Sequence, residues 1–399
     1  MSSNFNFCCP RCLNRICCCP RVYQGPKGDK GVPGVPGIQG RRGLRGPPGA
    51  QGPQGEQGPQ GEQGPQGVQG PQGAQGPQGE QGIQGEQGVQ GEQGEQGPAG
   101  SSTPISVNRI YVANQVSNNV SVINGNTNSV IANVPVGSIP NGVGVNPTTN
   151  RIYVTNFGFN NVSVIDGLSN TVMATVPVAG NPRGIGVNPT TNRIYVANQG
   201  SNNVSVIDGN TNSVIATVPV GSNPNGVGVN PTTNRIYVAN QGSNNVSVID
   251  GNTNSVIATV PVGSNPNGVG VNPTTNRIYV ANQVSNNVSV IDGLSNTVMA
   301  TVPVAGNPRG VGVNPTTNRI YVATFIGSNV SVIDGNTNSV IATVLVGSSP
   351  LGVGVNPLTN GIYVTNSNSN NVSVISGNTN TVIATVPVGS TPDGVGVNP

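Results

Sequence analysis

The stretch NPTTNRIYVANQGSNNVSVIDGNTNSVIATVPVGSNPNGVGV, residues 230–271, decides the fold of most of this chain. Its runs of Val, Ile, Tyr and Thr are typical of strands, whereas NPTT, NQGS and DGNTN are typical of turns. In the unit around Tyr237 we predict four strands, at 226–229, 235–239, 245–249 and 255–262. Apolar residues occupy both faces of the second strand, so each small sheet is expected to be covered on both sides.

The same unit recurs with a period of 42 residues. Its seven copies are marked by Tyr111, Tyr153, Tyr195, Tyr237, Tyr279, Tyr321 and Tyr363. Four short strands per unit at this period predict an all-β fold, a seven-bladed β-propeller. Gly226 and Gly228 are expected in the innermost strand, where blades approach closely, and Pro219 in the outer edge strand, where proline is tolerated. The chain ends in a GVGV strand, 394–397, which we expect to close the first blade.

Glycine occupies every third position from Gly25 to Gly100, a run of 26 glycines without a break. Only hydrogen fits at the crowded axis of three intertwined polyproline II chains, so this spacing predicts a collagen triple helix. The chain is therefore expected to associate with itself as a homotrimer. The predicted organisation is an N-terminal segment 1–24, a collagen-like stalk 25–100, a linker 101–104 and a propeller 105–399.

All cysteines of the chain lie in the N-terminal segment. They are Cys8, Cys9, Cys12, Cys17, Cys18 and Cys19. Adjacent cysteines bond poorly to each other, so we predict cross-links between chains or to a cysteine-rich surface matrix, which would anchor the stalk. The spacing of Cys9 and Cys12 also suits a zinc knuckle, and a tail with reactive thiols is the third alternative.

Composition excludes several classes of function. The net charge of +3 is too small to indicate a nucleic-acid partner, and no apolar run has the ~18 residues that membrane insertion needs. The start of the chain also lacks the apolar core of a secretory signal. Nearly identical blades without His, Cys, Lys or Glu offer poor material for catalysis, so we predict no enzyme, no cofactor and no metal in the propeller.

RIYVTN or RIYVAN followed by VSVID resembles the repeats of YVTN-family propellers over residues 105–399. With the Gly-x-Gln triplets and the cysteine-rich start, the chain resembles collagen-like surface proteins of bacterial spores, of the exosporium type. The resemblance implies a structural and adhesive surface fibre on the spore. A viral or phage fibre is the alternative location. A module that binds a receptor, an extracellular protein or a glycan is the alternative function.

Arg before the tyrosine and Asp after the third strand recur together. Antiparallel pairing should bring them side by side, so structural ion pairs are predicted, with a ligand-binding ring as the alternative. The pairs are Arg151 with Asp166, Arg193 with Asp208, Arg235 with Asp250, Arg277 with Asp292, and Arg319 with Asp334. The last blade has Gly361 and Ser376 instead. We interpret DGNTN as a turn, because it lacks the later ligands of a calcium loop.

The blades differ mainly in two loops, one after the second strand and one before the first. Propeller geometry places both loops on one face, and apolar side chains at exposed tips indicate a binding surface. Relaxed drift in loops is the alternative. The predicted binding residues are Val116, Phe157, Phe159, Val284, Phe325, Ile326, Arg183 and Arg309. Ile139, Leu351 and Asp393 also vary in the second loop.

Overall fold

The computed structural model describes residues 108–399. The cysteine segment 1–24, the stalk 25–100 and the linker 101–104 lie outside the described residues. Residues 108–399 form seven four-stranded antiparallel sheets, which are the blades of a β-propeller. This confirms the predicted all-β, seven-bladed fold.

Inner to outer, the first three blades contain the following strands. Blade one has Pro392–Asn398 (β28), Arg109–Asn114 (β1), Asn119–Asn124 (β2) and Ser129–Pro135 (β3). Blade two has Pro140–Asn146 (β4), Arg151–Asn156 (β5), Asn161–Asp166 (β6) and Thr171–Pro177 (β7). Blade three has Pro182–Asn188 (β8), Arg193–Asn198 (β9), Asn203–Asp208 (β10) and Ser213–Pro219 (β11).

The remaining four blades repeat this order. Blade four has Pro224–Asn230 (β12), Arg235–Asn240 (β13), Asn245–Asp250 (β14) and Ser255–Pro261 (β15). Blade five has Pro266–Asn272 (β16), Arg277–Asn282 (β17), Asn287–Asp292 (β18) and Thr297–Pro303 (β19). Blade six has Pro308–Asn314 (β20), Arg319–Thr324 (β21), Asn329–Asp334 (β22) and Ser339–Leu345 (β23). Blade seven has Pro350–Asn356 (β24), Gly361–Asn366 (β25), Asn371–Ser376 (β26) and Thr381–Pro387 (β27). Single 3-10 turns occupy Gln199–Ser201 and Ser367–Ser369.

The predicted strand order within a blade is confirmed. In blade four the glycine-containing strand β12 is innermost and β15, which ends in Pro261, is outermost. The predicted bounds differ by one or two residues at several ends, most at β12, which begins at Pro224 rather than Gly226. The pairing of β12 with β13 shifts register between Pro224 and Val227. This irregularity separates the pair formed by Pro224 and Asn240 from the regular pairing that begins at Val227.

The ring closes through its first blade. β28 pairs antiparallel with β1, with Val397 opposite Ile110 and Val395 opposite Val112. The predicted closure by the C-terminal strand is therefore confirmed. A blade made from both ends of the chain holds the ring shut, because opening it requires this ladder of hydrogen bonds to break.

The hydrophobic core lies between neighbouring blades. Tyr237 and Val248 of blade four contact Ile278 and Val280 of blade five, and all four are fully buried. Each side chain of this kind contributes roughly 1.5–3 kcal/mol when it is withdrawn from water. Because the two faces of a blade contact different neighbours, both faces of its second strand are apolar, as the sequence predicts.

Asparagine side chains join the blades at the ends of the inner strands. Asn230 Nδ2 donates to Asn276 Oδ1 of the next blade at 2.8 Å. The acceptor Asn276 has a φ of 51°, a left-handed conformation that asparagine tolerates better than most residues. The same bond joins every pair of neighbouring blades: 146 to 192, 188 to 234, 230 to 276, 272 to 318, 314 to 360, 356 to 108, and 398 to 150.

Candidate binding site on the upper face

The two variable loops of each blade lie together, on the face that we call the upper face. It is the face where the inner strands begin and the second strands end. In blade two the Phe157 N–H donates to the Ile139 carbonyl at 3.0 Å, and in blade four Gln241 donates to Asn223 at 3.0 Å. The structure thus brings together the loops that the sequence predicted to share a face.

The second residues of the seven inner strands form a closed ring around the propeller axis, which we call the axial ring. A Cβ added to Gly226 would lie 2.1 Å from the carbonyl oxygen of Asn267, and each inner strand meets its neighbour in this way. The members of the axial ring are Asn141, Arg183, Asn225, Asn267, Arg309, Leu351 and Asp393. Seven blades thus bring seven side-chain positions to one end of the axis.

The two arginines of the axial ring each lie over a phenylalanine. The Arg183 guanidinium is 5.4 Å from the centre of the Phe157 ring, and that of Arg309 is 5.2 Å from the Phe325 ring. These distances are within the range of cation–π attraction. Burial lowers the pKa of Arg309, the Asp393 charge raises it, and the guanidinium remains a cation at neutral pH.

Asp393 of the closing strand lies near enough to both arginines for their charges to act on it. Its Oδ2 accepts from Gln115 Nε2 at 2.6 Å and from Asn141 Nδ2 at 2.7 Å. Burial raises the pKa of this carboxyl, while the charges of Arg183 and Arg309 lower it. Three charged side chains therefore share one end of the axis, with a net charge of +1 when all are ionised.

Two buried threonines fix the backbone of charged ring members. Thr155 Oγ1 donates to the Arg183 carbonyl at 2.6 Å, and Thr365 Oγ1 donates to the Asp393 carbonyl at 2.6 Å. The other blades have alanine at this position in the second strand. Sequence analysis missed these threonines; the only signal was their departure from the repeat.

The predicted binding residues separate into two groups. Phe157 and Phe325 are half-buried beneath the arginines. The other four apolar residues stand at exposed loop tips: Val116, Phe159, Val284 and Ile326, which are 69%, 63%, 62% and 74% exposed. Asp393, which sequence analysis noted only as a variable loop residue, belongs to the charged cluster.

The arginines of the predicted ion pairs also make hydrogen bonds that the sequence did not predict. Arg235 lies opposite Asp250 in the register, as expected. Its side chain donates to the Gly293 carbonyl of the next blade at 2.7 Å, and Arg193 donates to Gly251 at 2.9 Å. Arg109, Arg151 and Arg277 make the equivalent bond, to Gly167, Gly209 and Gly335. The side chain of each of these arginines therefore crosses from its own blade to the next one.

The aspartates of the predicted pairs organise turns. Asp250 Oδ1 accepts from the N–H groups of Asn252 at 2.8 Å and Thr253 at 3.0 Å, as expected for a DGNTN turn. Backbone hydrogen bonds from Thr253 and Asn252 hold the pKa of Asp250 below its usual value, and the Arg235 charge is the smallest of the contributions. Asp166, Asp208 and Asp292 have lowered pKa values for the same reason, and Asp334 accepts the equivalent bonds.

Residues 108–399 contain no cluster of three or more His, Cys, Asp or Glu side chains that could hold a metal ion. Within the same range, no helix is long and apolar enough to cross a membrane. The six cysteines lie outside this range.

Known proteins resemble the two parts of the chain separately. The family model of the collagen triple helix repeat matches residues 20–74 and 43–104. No curated protein matches the chain. Its fold is similar to that of Kuenenia stuttgartiensis Hydrazine Synthase, with a TM-score of 0.62 and 23% identity over 67% of this chain and 92% of that chain.

Two further solved structures have the same fold. A functionally unknown protein from Desulfotomaculum acetoxidans DSM 771 has a TM-score of 0.64 and 17% identity, over 73% of this chain and 98% of that one. Dihydro-heme d1 dehydrogenase NirN in complex with DHE has a TM-score of 0.55 and 14% identity, over 73% and 76%. Two of the three names are those of enzymes, but similarity at these identities shows the fold alone. The chain combines collagen triple helix repeats with a seven-bladed propeller, which fits a structural or binding surface protein.

Proposed function

We propose that this protein is a structural and adhesive surface fibre. Three chains wind residues 25–100 into a collagen-like stalk, the N-terminal cysteines anchor the stalk, and propeller heads are displayed at the other end. The observation that carries the proposal is the unbroken glycine period, which suits no fold but the triple helix. The match of the collagen repeat model to residues 20–74 and 43–104 supports it.

The proposed location is the surface of a bacterial spore, with a viral or phage fibre as the alternative. The support is the sequence resemblance to collagen-like spore proteins and the cysteine-rich start. A cysteine-rich matrix is the proposed partner of the N-terminal segment. Antibody labelling of intact spores checks the location, and labelling of the spore interior alone would contradict it.

The head is proposed to bind rather than catalyse. The charged groups at the axis are two arginines and one aspartate, and they lack a nucleophile with an adjacent base. Sequence differences between blades are concentrated at this end of the axis. Such differences are expected at a binding surface, because a ligand contacts each blade with a different group. A receptor- or glycan-binding module is therefore the second candidate function, and it is compatible with the first.

The oligomeric mass of the full chain tests the proposed function. Light scattering after size exclusion is expected to give three times the chain mass of 40.2 kDa. Circular dichroism should show a cooperative loss of the triple-helix signal on heating, followed or preceded by unfolding of the propeller. Replacing Gly61 with Ala in the middle of the stalk should lower the melting temperature of the triple helix and leave that of the propeller unchanged. A stable monomer would overturn the proposal.

A further inference from the structure

The upper face contains buried polar atoms that lack a hydrogen-bond partner and do not recur from blade to blade. They are Arg183 Nε, Asn225 Nδ2 and Gln283 Oε1. The other unpartnered buried atoms of residues 108–399 are tyrosine hydroxyls and asparagine oxygens that repeat around the propeller. An unpartnered polar atom is costly when it is buried, and these three are grouped in blades three to five, around one end of the axis.

The arginines at this end also keep most of their donors free. Arg183 donates no side-chain hydrogen bond within residues 108–399, and Arg309 uses only its Nε, which donates to Asn307 at 3.1 Å. The rings of Phe157 and Phe325 hold both guanidiniums from one side. Two guanidinium groups with free N–H donors form a preorganised site for an anion, because the planar fork matches a carboxylate.

Asp393 limits which anion fits. When Asp393 is ionised, the net charge at the axial ring is only +1, which suits a single negative charge better than a doubly charged phosphate. Both amide donors bind its Oδ2, so Oδ1 remains able to accept from a ligand hydroxyl. The exposed Phe159 offers an apolar surface in an upper-face loop of blade two. The ligand that this set of groups matches has one carboxylate, several hydroxyls and an apolar face.

We infer that the axial ring is a binding site for a carboxylated sugar of the uronic-acid type, in which Arg183 and Arg309 bind the carboxylate and Asp393 accepts from a hydroxyl. This deepens the proposed role of the head as a binding module and rests on it. The amides of Asn225 and Gln283 supply the remaining hydrogen bonds, which satisfies the unpartnered atoms.

The internal repeat supplies substitutions that keep the fold. Asparagine occupies the axial-ring position in three other blades, at Asn141, Asn225 and Asn267. The double substitution Arg183→Asn with Arg309→Asn therefore introduces at both positions the residue that three other blades already have there. Arg319→Gly removes one positive charge at the opposite end of a blade, where blade seven has Gly361, and is the matched control.

Calorimetric titration of the full chain with galacturonic acid, which has one carboxylate, tests the inference. Its methyl ester is the neutral probe. We expect the acid to bind at least tenfold more tightly than the ester, the double arginine variant to lose at least tenfold in affinity for the acid, and Arg319→Gly to bind as the unsubstituted chain does. Asp393→Asn should weaken the binding of the ester, because the amide oxygen would stay with Gln115 and Asn141 and an NH2 group, which cannot accept, would replace Oδ1.

Several outcomes would overturn the inference. These are equal affinity for acid and ester, unchanged affinity of the double arginine variant, absence of binding to the acid, or inorganic phosphate that binds as tightly as the acid. If the full chain binds neutral glycans on an array but not the acid, the inference fails and the proposed function stands. If the chain is a monomer that still binds the acid, the proposed fibre fails and this site remains.

Discussion

At the residue scale, left-handed backbone positions show how the repeat is built. Nearly all of the residues with positive φ between 108 and 399 are asparagines, and no glycine of this part of the chain adopts a positive φ. Asparagine tolerates this conformation because its short amide bonds to nearby backbone. Ile139, with a φ of 52°, departs from this rule, and it precedes the inner strand of blade two on the upper face.

Replacing Ile139 with asparagine is expected to stabilise the propeller by about 1 kcal/mol. A β-branched side chain costs roughly 1–2 kcal/mol in the left-handed region, and Ile139 is 41% exposed, so little apolar burial is lost. The free energy of unfolding in denaturant measures the effect. The reverse change, Asn223→Ile, should destabilise by a similar amount, because the N–H groups of Ile139 and Asn223 make the same bond, to Asn118 and Asn202. If Ile139→Asn is neutral, the strain is absent.

The turn aspartates predict how stability depends on pH. The pKa values of Asp166, Asp208, Asp250 and Asp292 lie below their usual value. The contribution of these carboxylates to the free energy of unfolding is therefore complete above the unfolded pKa of about 3.9. It is lost as pH falls through the lower folded pKa values. The propeller is therefore expected to lose stability progressively below about pH 4.

Asp250→Asn isolates one of these charges. Blade one already has Asn124 in this place, and its Oδ1 accepts from the Asn126 N–H at 2.9 Å, so the turn should persist. We expect the variant to be less stable at pH 7 by less than about 1 kcal/mol, since a charged acceptor on an exposed turn adds little. The difference from the unsubstituted chain should vanish near pH 2. A difference that is constant from pH 7 to pH 2 would contradict this explanation.

At the scale of strands, the inner strands approach so closely that a side chain does not fit. A Cβ on Gly226 would lie 2.1 Å from a backbone oxygen, and a Cβ on Gly228 would lie 2.7 Å from Val269 Cγ1. Backbone cannot move away without shifting a whole blade. The GVGV sequence is therefore a consequence of blade-to-blade distance at the axis, and the glycines have ordinary strand conformations.

Gly226→Ala is expected to destabilise the propeller by about 3 kcal/mol, because overpacking a rigid contact typically costs 1–3 kcal/mol or more. Gly306→Ala is the matched control, since the nearest atom to its added Cβ would be Ile326 Cβ at 3.6 Å. Thermal and denaturant unfolding compare the two. Equal stability of the two variants would show that the inner strands are less tightly packed than the structure has them.

At the scale of the whole propeller, stability depends on closure. The β28–β1 ladder joins the two ends of the described chain, and the asparagine bonds from 398 to 150 and from 356 to 108 continue the inter-blade ring across the join. Arginine bonds, by contrast, stop before the join. Arg319 donates no such bond within residues 108–399, and the next blade has Gly361 in place of arginine.

Removing residues 392–399 is expected to destabilise the propeller by at least about 3 kcal/mol and to broaden its unfolding transition. The deletion leaves β1 as an unpaired edge and exposes the apolar faces of blades one and seven. Differential scanning calorimetry of the shortened chain measures both effects, and removal of Pro399 alone is the control. An unchanged transition would mean that the ring does not need its closing strand.

The sequence by itself determined the repeating unit, the number of blades, the order of strands in a blade and the closing strand. Periodic apolar residues, turn residues and glycines are local signals, and each repeats seven times, so chance agreement is small. The glycine triplets are also a local signal, because only hydrogen fits at the axis of a triple helix and this fixes the spacing of glycine.

Only the tertiary structure decided which side chains meet. The recurring Arg and Asp are opposite each other in the register, yet Arg235 bonds to the next blade and Asp250 binds its own turn. Phe157 and Arg183 meet across neighbouring blades, and Asp393 reaches the arginines' end of the axis only because the closing strand joins the first blade. Side-chain direction across an interface depends on blade rotation and on competing backbone partners, neither of which a one-dimensional pattern contains.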